Sequence, residues 1–328
     1  MTEQIKMPVM VGVFADVVAD FIRYKRSLGY KYESEPKCLS RFCIFAEDFG
    51  VTSIEITEDL AYEWCAPRED EAPKNRTHRI TCIRQFAVYL NDLGYPAFIM
   101  PEVRNIPKSP FTPHIFTHDE IKRLFQIIDN APDKRNAKNK NISSPAIFRM
   151  LYGCGMRVSE VCGLRRKDVD IENGILTLHD TKNGTDRYVP LSASVQAAVQ
   201  KYAYQMIWDS EDEYFFKKPD RSRLAPITIY GRFRDYLFKI GISHGGKNKG
   251  PRLHDLRHTF AVHVLQKWIA ADIDVYARLP VLSAYMGHKG IRSTAIYLRL
   301  TAEVYPELLK KAEKYSGYVI PEVSDEAD

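Results

Sequence analysis

The sequence predicts a mainly α-helical protein of two domains with one small β-hairpin. The chain has 328 residues, of which 45% are hydrophobic, and this is enough to form a core in each of two domains. Apolar residues recur at helical spacing through most of the chain. A proline-rich segment interrupts this pattern once, and a single β-rich segment lies in the second part.

The N-terminal part predicts four short helices. Helical spacing of apolar residues covers residues 11–28, 34–49 and 76–93. A glycine follows each of these segments as a helix stop: Gly29, Gly50 and Gly94. Thr57 is the predicted N-cap of a further short helix that ends at Trp64. We therefore predict a compact helical domain over residues 1–96.

The segment after this domain is a predicted linker over residues 97–113. Five prolines fall within residues 95–113, and proline in a helix interior removes a hydrogen bond and clashes with the preceding turn. Thr117 and Glu120 then have the spacing of a capping box, which marks the start of a new helix. The second domain is predicted over residues 114–318, followed by an acidic tail, expected to be flexible, over residues 319–328.

The β-rich segment of the second domain spans residues 174–191. Its two runs flank Lys182-Asn183-Gly184, and Asn-Gly between such runs is a strong hairpin signal. Ser192 is the predicted cap of the helix that follows. Further helices are predicted over residues 253–266 and 280–286.

The charge, the cysteines and the apolar segments of the chain limit its expected partners, cofactors and location. The formal net charge is +5, which permits a polyanionic partner without requiring one. The six cysteines have no CxxC pair and no zinc-binding spacing, so we expect free thiols and neither a metal nor another cofactor. No signal peptide is recognisable and no apolar run reaches about 18 residues, so we expect a cytoplasmic protein without a membrane partner.

Several polar residues in the second domain could act on one phosphate group. They stand in this order along the chain: Arg157, Lys182, His254, Arg257, His288 and Tyr297. Two arginines can bind the non-bridging oxygens of a phosphate and stabilise its developing charge. Lysine and histidine can transfer protons, and tyrosine can attack phosphorus to form a covalent intermediate. Such chemistry requires neither a metal ion nor ATP.

The order Arg–Lys–His-x-x-Arg–His–Tyr resembles the phage integrase family of tyrosine recombinases. The segments that carry this resemblance are GCGMRVSEVCGL, the hairpin around Lys182, LHDLRHTFA and MGHKGIRSTAIY. The resemblance implies an N-terminal core-binding domain and a C-terminal catalytic domain with the DNA breaking-rejoining fold. It also implies that the six residues above are catalytic and that Glu160 is a supporting carboxylate.

The resemblance further implies a reaction and its partners. Tyr297 would cleave one DNA strand to give a 3′-phosphotyrosyl bond, with Arg157 and Arg257 holding the phosphate. Lys182 would protonate the leaving 5′ oxygen, and His254 would serve Tyr297 as general acid and base. The expected partners are duplex DNA with specific recombination sites, three further copies in a homotetramer on paired sites, and accessory or co-encoded recombinases at the bacterial nucleoid.

Some alternatives stay open. Tyr305, eight residues past Tyr297, and Tyr285 compete as nucleophile, while His258 is expected on a different side of its helix from His254 and is interpreted as a structural or supporting residue. The chain between Arg257 and His288 is long, which resembles recombinases of transposons and other mobile elements. A type IB topoisomerase and a catalytically silent accessory DNA-binding subunit are the alternative functions.

Two groups of basic residues are candidate DNA contacts outside the catalytic set. One group follows the first motif and consists of Arg165, Arg166 and Lys167. The other lies on the fourth predicted helix and consists of Arg76, Arg79 and Arg84. A solvated charge run with no ligand is the alternative interpretation of the first group.

Overall fold

The computed structural model describes residues 7–69, 71–102, 112–132, 139–179, 186–246, 249–288 and 290–305, without the side chains of residues 302 and 304. The chain divides into two compact units, Met1–Pro110 and Phe111–Asp328. Most of the predicted linker and the whole predicted tail lie outside the described residues, so the domain boundaries stay predictions. None of the helices in the described ranges combines the length and apolar content needed to cross a membrane.

The described residues of the first unit form four helices, as the apolar periodicity predicts. They are α1 (Ala15–Ser27), α2 (Glu35–Asp48), α3 (Glu58–Cys65) and α4 (Pro73–Asp92). Thr57 caps α3 as predicted, because its hydroxyl accepts a hydrogen bond from the Leu60 amide at 3.2 Å. α4 begins three residues before the predicted start, since Pro73 suits the first helical position, where no amide hydrogen is needed.

Aromatic side chains form the core of the first unit. Phe14, Phe21, Phe42 and Phe86 are all fully buried on α1, α2 and α4 or next to them. The Phe86 ring lies 5.4 Å from that of Phe21 and 6.3 Å from that of Phe42, centroid to centroid. Trp64 of α3 contacts Phe42 edge to face at 5.5 Å. One apolar cluster therefore holds the four helices together.

The second unit contains eight helices and a small sheet within the described residues. Its helices are α5 (His118–Asp129), α6 (Lys140–Gly153), α7 (Val158–Gly163), α8 (Ala193–Ala203), α9 (Pro226–Lys239), α10 (Asp255–Ala270), α11 (Val275–Met286) and α12 (Arg292–Val304). The predicted capping box is present at α5, where the Thr117 hydroxyl and the Glu120 carboxylate each accept the other residue's amide.

The sheet is antiparallel and lies between α7 and α8 in the sequence. Its strands β1 (Val169–Asp170), β2 (Ile175–Leu178) and β3 (Arg187–Pro190) stand in the order β1-β2-β3. Leu176 is opposite Val189 and Leu178 is opposite Arg187 in the β2–β3 pair. The predicted pairing of the two β-rich runs is confirmed, whereas the hairpin tip, residues 180–185, lies outside the described residues.

One predicted helix start was wrong, and another is confirmed in its position but not in its side-chain cap. Ser192 stands at the N-cap position of α8, but its side chain makes no capping hydrogen bond and lies 3.3 Å from the Ser194 hydroxyl instead. The helix predicted over residues 280–286 begins at Val275, because Asp274 accepts hydrogen bonds from the amides of Tyr276 and Ala277. This cap at Asp274 starts the helix five residues earlier and leaves Pro280 inside α11.

Two apolar clusters are present among the described residues of the second unit. The larger one joins α5, α6, α8 and α9 to the sheet, with Phe148, Phe233 and Tyr236 among its fully buried residues. The smaller one lies between α10, α11 and α12 and contains Leu265, Leu282 and Tyr297. Tyr297, the expected nucleophile, is therefore part of the packed contact between α10 and α12.

Candidate active site

Arg257 lies at the centre of the site. It is in the first turn of α10, and only 2% of its surface is exposed. Its guanidinium donates hydrogen bonds to the backbone carbonyls of Gly155, at 2.5 Å, and of Met286, at 2.7 Å. Burial, followed by the charge of Arg157, lowers the pKa of Arg257 to about 10, so it stays a cation at neutral pH.

The turn before α7 brings a carbonyl to this arginine. Gly155 has φ +59°, and a side chain there would collide with the Phe260 ring of α10. Glycine is suited to this position because it adopts positive φ without a steric cost and lets the backbone approach α10 closely. The second glycine of the Gly-Cys-Gly segment is therefore required by the backbone geometry at this turn.

Glu160 connects two arginines next to Arg257. Its carboxylate accepts hydrogen bonds from the amide and the guanidinium of Arg157, both at 2.8 Å. Arg187 of β3 donates to both carboxylate oxygens, at 3.1 and 3.0 Å. Burial by itself would raise the pKa of Glu160, but the hydrogen bonds from Arg187 and Arg157 outweigh burial and lower it. The carboxylate therefore stays ionised and holds both guanidinium groups.

Arg187 is a residue of the site that the sequence reasoning missed. Besides holding Glu160, its Nε donates to the Tyr285 carbonyl at 3.1 Å, so β3 is joined to both α7 and α11. A signal was available, because Arg187 and the buried Val189 are two residues apart on a strand and share one face. An arginine on the inward face of a strand requires a buried acceptor.

His288 follows α11 at a glycine turn. Gly287 has φ +66°, its carbonyl accepts from Arg157 at 3.3 Å, and a side chain there would collide with the Arg187 guanidinium. The His288 Nε2 atom lies 2.8 Å from a guanidinium nitrogen of Arg257, and its Nδ1 atom lies 2.7 Å from the Thr294 hydroxyl. Burial and the neighbouring arginines lower the pKa of His288 to about 4, so the ring is neutral at pH 7.

Tyr297 is brought to these groups by α12. It is only 3% exposed, and its ring is stacked at 6.1 Å on that of His288, with 20° between the planes. Burial raises the pKa of Tyr297, while the charge and hydrogen bond of Arg257 act in the opposite direction. The structure therefore brings together Arg157, Glu160, Arg257, His288 and Tyr297 from four separate segments of the chain.

His254 and His258 lie side by side, which corrects the expectation that they face different sides of α10. Positions four apart share a helix face, and their ring centroids are 4.8 Å apart. His254 is exposed, whereas His258 lies 5.6 Å from the Tyr297 ring. Burial and the charge of Arg257 lower the pKa of His258 to about 4. His258 therefore lies next to both His254 and Tyr297.

Three further candidate residues of the site are Lys182, Tyr285 and Tyr305. Lys182 lies outside the described residues. The Tyr285 hydroxyl donates to the Pro190 carbonyl at 3.1 Å, and burial raises its pKa, so it is held against β3. Tyr305 follows the end of α12 and packs against the apolar cluster of α10, α11 and α12. The described residues contain no group of three or more His, Cys, Asp and Glu placed to hold a metal ion.

The basic residues of α4 do not share one exposed face. Arg79 is only 4% exposed and donates hydrogen bonds to the Glu71 carboxylate and to the Ala66 carbonyl. The prediction that Arg79 contacts DNA is therefore wrong, because its guanidinium is buried in the protein. The helical spacing places it inward because α4 packs around Trp64, which the Arg79 guanidinium faces at 5.4 Å. Arg76 and Arg84 are half-buried, and Arg76 donates to the Cys65 carbonyl.

The basic residues after α7 are held by a neighbouring loop. The Arg165 guanidinium lies 3.7 Å above the Tyr214 ring and donates to the Asp212 carbonyl. Lys167 is exposed and lies 2.6 Å from the Asp212 carboxylate. Arg166 is half-buried and donates to the Val169 carbonyl at 3.1 Å. These contacts fix the three side chains near the surface without removing them from it.

The sequence is similar to that of known recombinases. A model described as "Phage integrase family" matches residues 114–304, which is more than half of the chain. An integrase/recombinase of Sinorhizobium fredii, y4rB, is 28% identical over 311 residues, covering 93% of this chain and 98% of that protein. Tyrosine recombinase XerA of Pyrococcus horikoshii is 32% identical over 211 residues, covering 63% of this chain and 64% of that protein.

The fold is similar to that of solved DNA complexes. An integrase of the transposon Tn1549 in complex with a circular intermediate DNA superposes with a TM-score of 0.60 at 20% identity, over 91% of this chain and 100% of that chain. A lambda integrase dimer bound to a core site gives a TM-score of 0.60 at 17% identity, over 86% of this chain and 94% of that chain. Both likenesses identify the fold of the chain.

Proposed function

The chain belongs to the phage integrase family of tyrosine recombinases, and we propose that it breaks and rejoins DNA at specific sites with Tyr297 as its nucleophile. One observation carries this assignment. Arg257 is hydrogen-bonded to His288 and lies next to both Tyr297 and Arg157. A nucleophile and two cations therefore meet at one position. A phosphodiester is the substrate that such an arrangement fits.

The proposed reaction conserves the energy of the broken bond. The Tyr297 oxygen forms a bond to phosphorus as the bond between phosphorus and the 5′ oxygen breaks. His254 takes the phenolic proton, and Lys182 supplies a proton to the 5′ oxygen. The 5′ hydroxyl of a partner strand then attacks the phosphotyrosyl bond and reverses both proton transfers.

The two arginines stabilise the charge that develops on the phosphate. Arg157 is fixed by Glu160 and Gly287, and Arg257 is fixed by two backbone carbonyls, so both guanidinium groups are held in place before the substrate arrives. His288 adds a hydrogen bond to a phosphate oxygen. Removing one such preorganised donor in other enzymes costs about 10²–10³ in rate.

The proposed partners are duplex DNA with specific recombination sites and a homotetramer formed on two such sites, at the bacterial nucleoid. Similarity to proteins named as integrases, one of them from a transposon, supports movement of a mobile element by integration, excision or transposition. Accessory or co-encoded recombinases would set the direction. Arg76, Arg84, Arg165, Arg166 and Lys167 are proposed to contact the DNA backbone.

A suicide-substrate assay tests the proposed nucleophile. Nicked duplexes from the ends of the element that carries the gene are incubated with wild-type protein and with the Tyr297→Phe variant, and denaturing gels are examined for a covalent protein–DNA band. We expect the band with wild type and its loss in the variant, since phenylalanine has no oxygen to attack phosphorus.

Matched variants assign the outcome to one tyrosine. Tyr285→Phe and Tyr305→Phe should both retain the band. If the band persists in Tyr297→Phe and disappears in Tyr305→Phe, the nucleophile is Tyr305. If wild type binds the duplexes yet forms no band with any of them, the result favours a silent accessory subunit. If wild type relaxes supercoiled plasmids without paired sites, the result favours a topoisomerase.

A further inference from the structure

Both ring nitrogens of His288 are engaged, and their partners fix the position of its proton. A guanidinium only donates hydrogen bonds, so Nε2 must accept from Arg257. The single proton of the neutral ring is therefore on Nδ1, which donates to the Thr294 hydroxyl at 2.7 Å. Thr294 is fully buried and stands three residues before Tyr297 on α12, so both side chains lie on one face of the helix.

This arrangement differs from the one that the reaction requires. To donate to a phosphate oxygen, His288 must use Nε2, because Nδ1 faces Thr294 in the interior. Nε2 carries no proton while it accepts from Arg257. A bound phosphate would attract the Arg257 donor, since a hydrogen bond to an anion is stronger than one to a neutral ring nitrogen. Nε2 would then be released to take up a proton.

We propose that Thr294 is a positioning residue whose hydroxyl accepts from Nδ1 of His288 in the DNA-free enzyme and donates to Nδ1 once phosphate is bound. This inference rests on the proposed function of the site. A hydroxyl group can do both because it carries one donor and two acceptor lone pairs and can rotate. One proton leaves Nδ1 for water and another arrives at Nε2 from water, so the ring stays neutral.

The surroundings of His288 favour a neutral ring. Arg257 and His258 face it from α10, Arg157 from the turn before α7, and Arg187 from β3. The Tyr297 ring covers one side of the imidazole. Adding a second proton to the ring would place an imidazolium among three arginines, whereas moving the proton between the two nitrogens adds no charge.

Thr294 also sets the plane of the ring. With Nε2 on Arg257 and Nδ1 on Thr294, the imidazole is held at two points and lies nearly parallel to the Tyr297 ring. When phosphate draws Arg257 away, Thr294 is the contact that keeps this orientation. Loss of the hydroxyl should therefore affect the cleavage step more than DNA binding.

Two substitutions separate the hydroxyl from the shape of the side chain. Thr294→Val keeps the volume and removes the hydroxyl, whereas Thr294→Ser keeps the hydroxyl. In Thr294→Val we expect the single-turnover cleavage rate at saturating DNA to fall by about tenfold or more, because a buried ring nitrogen of His288 loses its hydrogen-bond partner. In Thr294→Ser we expect the rate to stay within about threefold of wild type. The Kd for DNA should be unchanged in both.

A matched control is available on the same helix. Thr301 is also buried on α12, but its hydroxyl donates to the Tyr297 backbone carbonyl and not to a histidine. Thr301→Val should therefore cleave within about threefold of the wild-type rate. If Thr294→Val cleaves as fast as wild type, or if Thr301→Val is equally impaired, the proposal is wrong. Thermal unfolding midpoints identify any variant that fails to fold.

A second measurement does not depend on cleavage. Nitrogen NMR of ¹⁵N-histidine-labelled protein, with the His288 signals assigned from a His288→Gln variant, reports which ring nitrogen is protonated. In the DNA-free state we expect protonated Nδ1 in wild type and in both variants, because Nε2 accepts from Arg257 in each. At saturating inorganic phosphate we expect protonated Nε2 in wild type and Thr294→Ser but not in Thr294→Val. Chloride at equal ionic strength should cause no change.

The two measurements distinguish failure of this inference from failure of the proposed function. A proton on Nε2 in the DNA-free wild type, or one that stays on Nδ1 with phosphate bound, overturns the role of Thr294 even if cleavage is observed. The absence of a covalent complex with every duplex counts against the proposed function, and the NMR result then decides the role of Thr294.

Discussion

Arg257 illustrates what single residues require in this site. Arg257 is only 2% exposed, and a buried guanidinium would be strongly destabilising without partners. Two carbonyls and one imidazole accept its hydrogen bonds here. One acceptor, the Gly155 carbonyl, comes from the turn before α7, and the other two, at Met286 and His288, come from the end of α11. The residues that bind the phosphate in the proposed reaction are therefore the same ones that hold α7, α10 and α11 in register.

The buried, neutral side chain of His263 predicts that the stability of the protein depends on pH. His263 is 8% exposed and accepts or donates one hydrogen bond with Tyr152, and burial followed by the charge of His118 lowers its pKa from 6.5 to about 4. Between these pH values the unfolded chain binds a proton that the folded chain does not, so stability falls as the pH falls from about 6.5 to about 4. The loss from this one group is on the order of 3 kcal/mol.

Urea unfolding at a series of pH values measures this effect. Above pH 6.5 the contribution of His263 to the free energy of unfolding should be constant. On acidification below this pH, His263→Gln should lose less stability than wild type. The side chain of glutamine can keep a hydrogen bond to Tyr152 but does not titrate. Parallel curves for the two proteins would contradict the assignment.

At the scale of secondary-structure elements, Arg187 is the contact that joins the sheet to the site. It links β3 to Glu160 in α7 and to the Tyr285 carbonyl in α11. Arg187→Lys keeps the charge but loses the two-point contact with the carboxylate. We expect the cleavage rate to fall by about tenfold, because Glu160 no longer fixes Arg157 as firmly. Single-turnover cleavage at saturating DNA measures this.

A surface arginine provides the control for this substitution. Arg221 is exposed and pairs with Asp209 and Glu213 in the loop before α9. Because exposed ion pairs contribute only about 0–1 kcal/mol, Arg221→Lys should leave the cleavage rate within about twofold of wild type. Equal effects of the two substitutions would show that Arg187 has no special connection with the site.

Two helix caps in the second unit offer a matched comparison. Thr117 caps α5 in a reciprocal capping box, whereas Ser192 occupies the same position at α8 without a capping hydrogen bond. Thr117→Ala should therefore lower the free energy of unfolding by about 1 kcal/mol, and Ser192→Ala should lower it less. Chemical denaturation of both variants checks the difference, and a larger loss in Ser192→Ala would contradict the assignment of the caps.

At the scale of the whole molecule, each unit contains its own apolar core. Phe86 is fully buried in the first unit and Phe233 in the second. We expect Phe86→Ala to lower the stability of the first unit by about 3–5 kcal/mol and to leave the unfolding of the second unit in place. Differential scanning calorimetry should then show one transition at a lower temperature and one that is unchanged.

The converse substitution tests the same expectation. Phe233→Ala should shift only the transition of the second unit, and it should abolish cleavage at temperatures where that unit is unfolded. If both substitutions shift one common transition equally, the two units unfold as one cooperative body and the predicted independence is wrong.

The sequence by itself determined the helical periodicity, the hairpin pairing and the order of the motif residues. These are local properties, because helix stops, caps and alternating strands depend on residues a few positions apart. The motifs were also sufficient to identify Arg157, Arg257, His288 and Tyr297 as candidates for one site. Their recognition depended on residue types and spacing along the chain, which need no coordinates.

Only the tertiary structure decided which side chains face one another across the chain. It turned Arg79 inward onto Glu71, placed His258 next to both His254 and Tyr297, and brought Arg187 to Glu160. Such contacts join residues far apart in sequence, or depend on which face of a helix is packed. Local patterns indicate which face a side chain takes, as for Arg187 on β3, but they do not identify its partner, because burial is set by the whole fold. The proton position on His288 likewise follows from two partners on different helices.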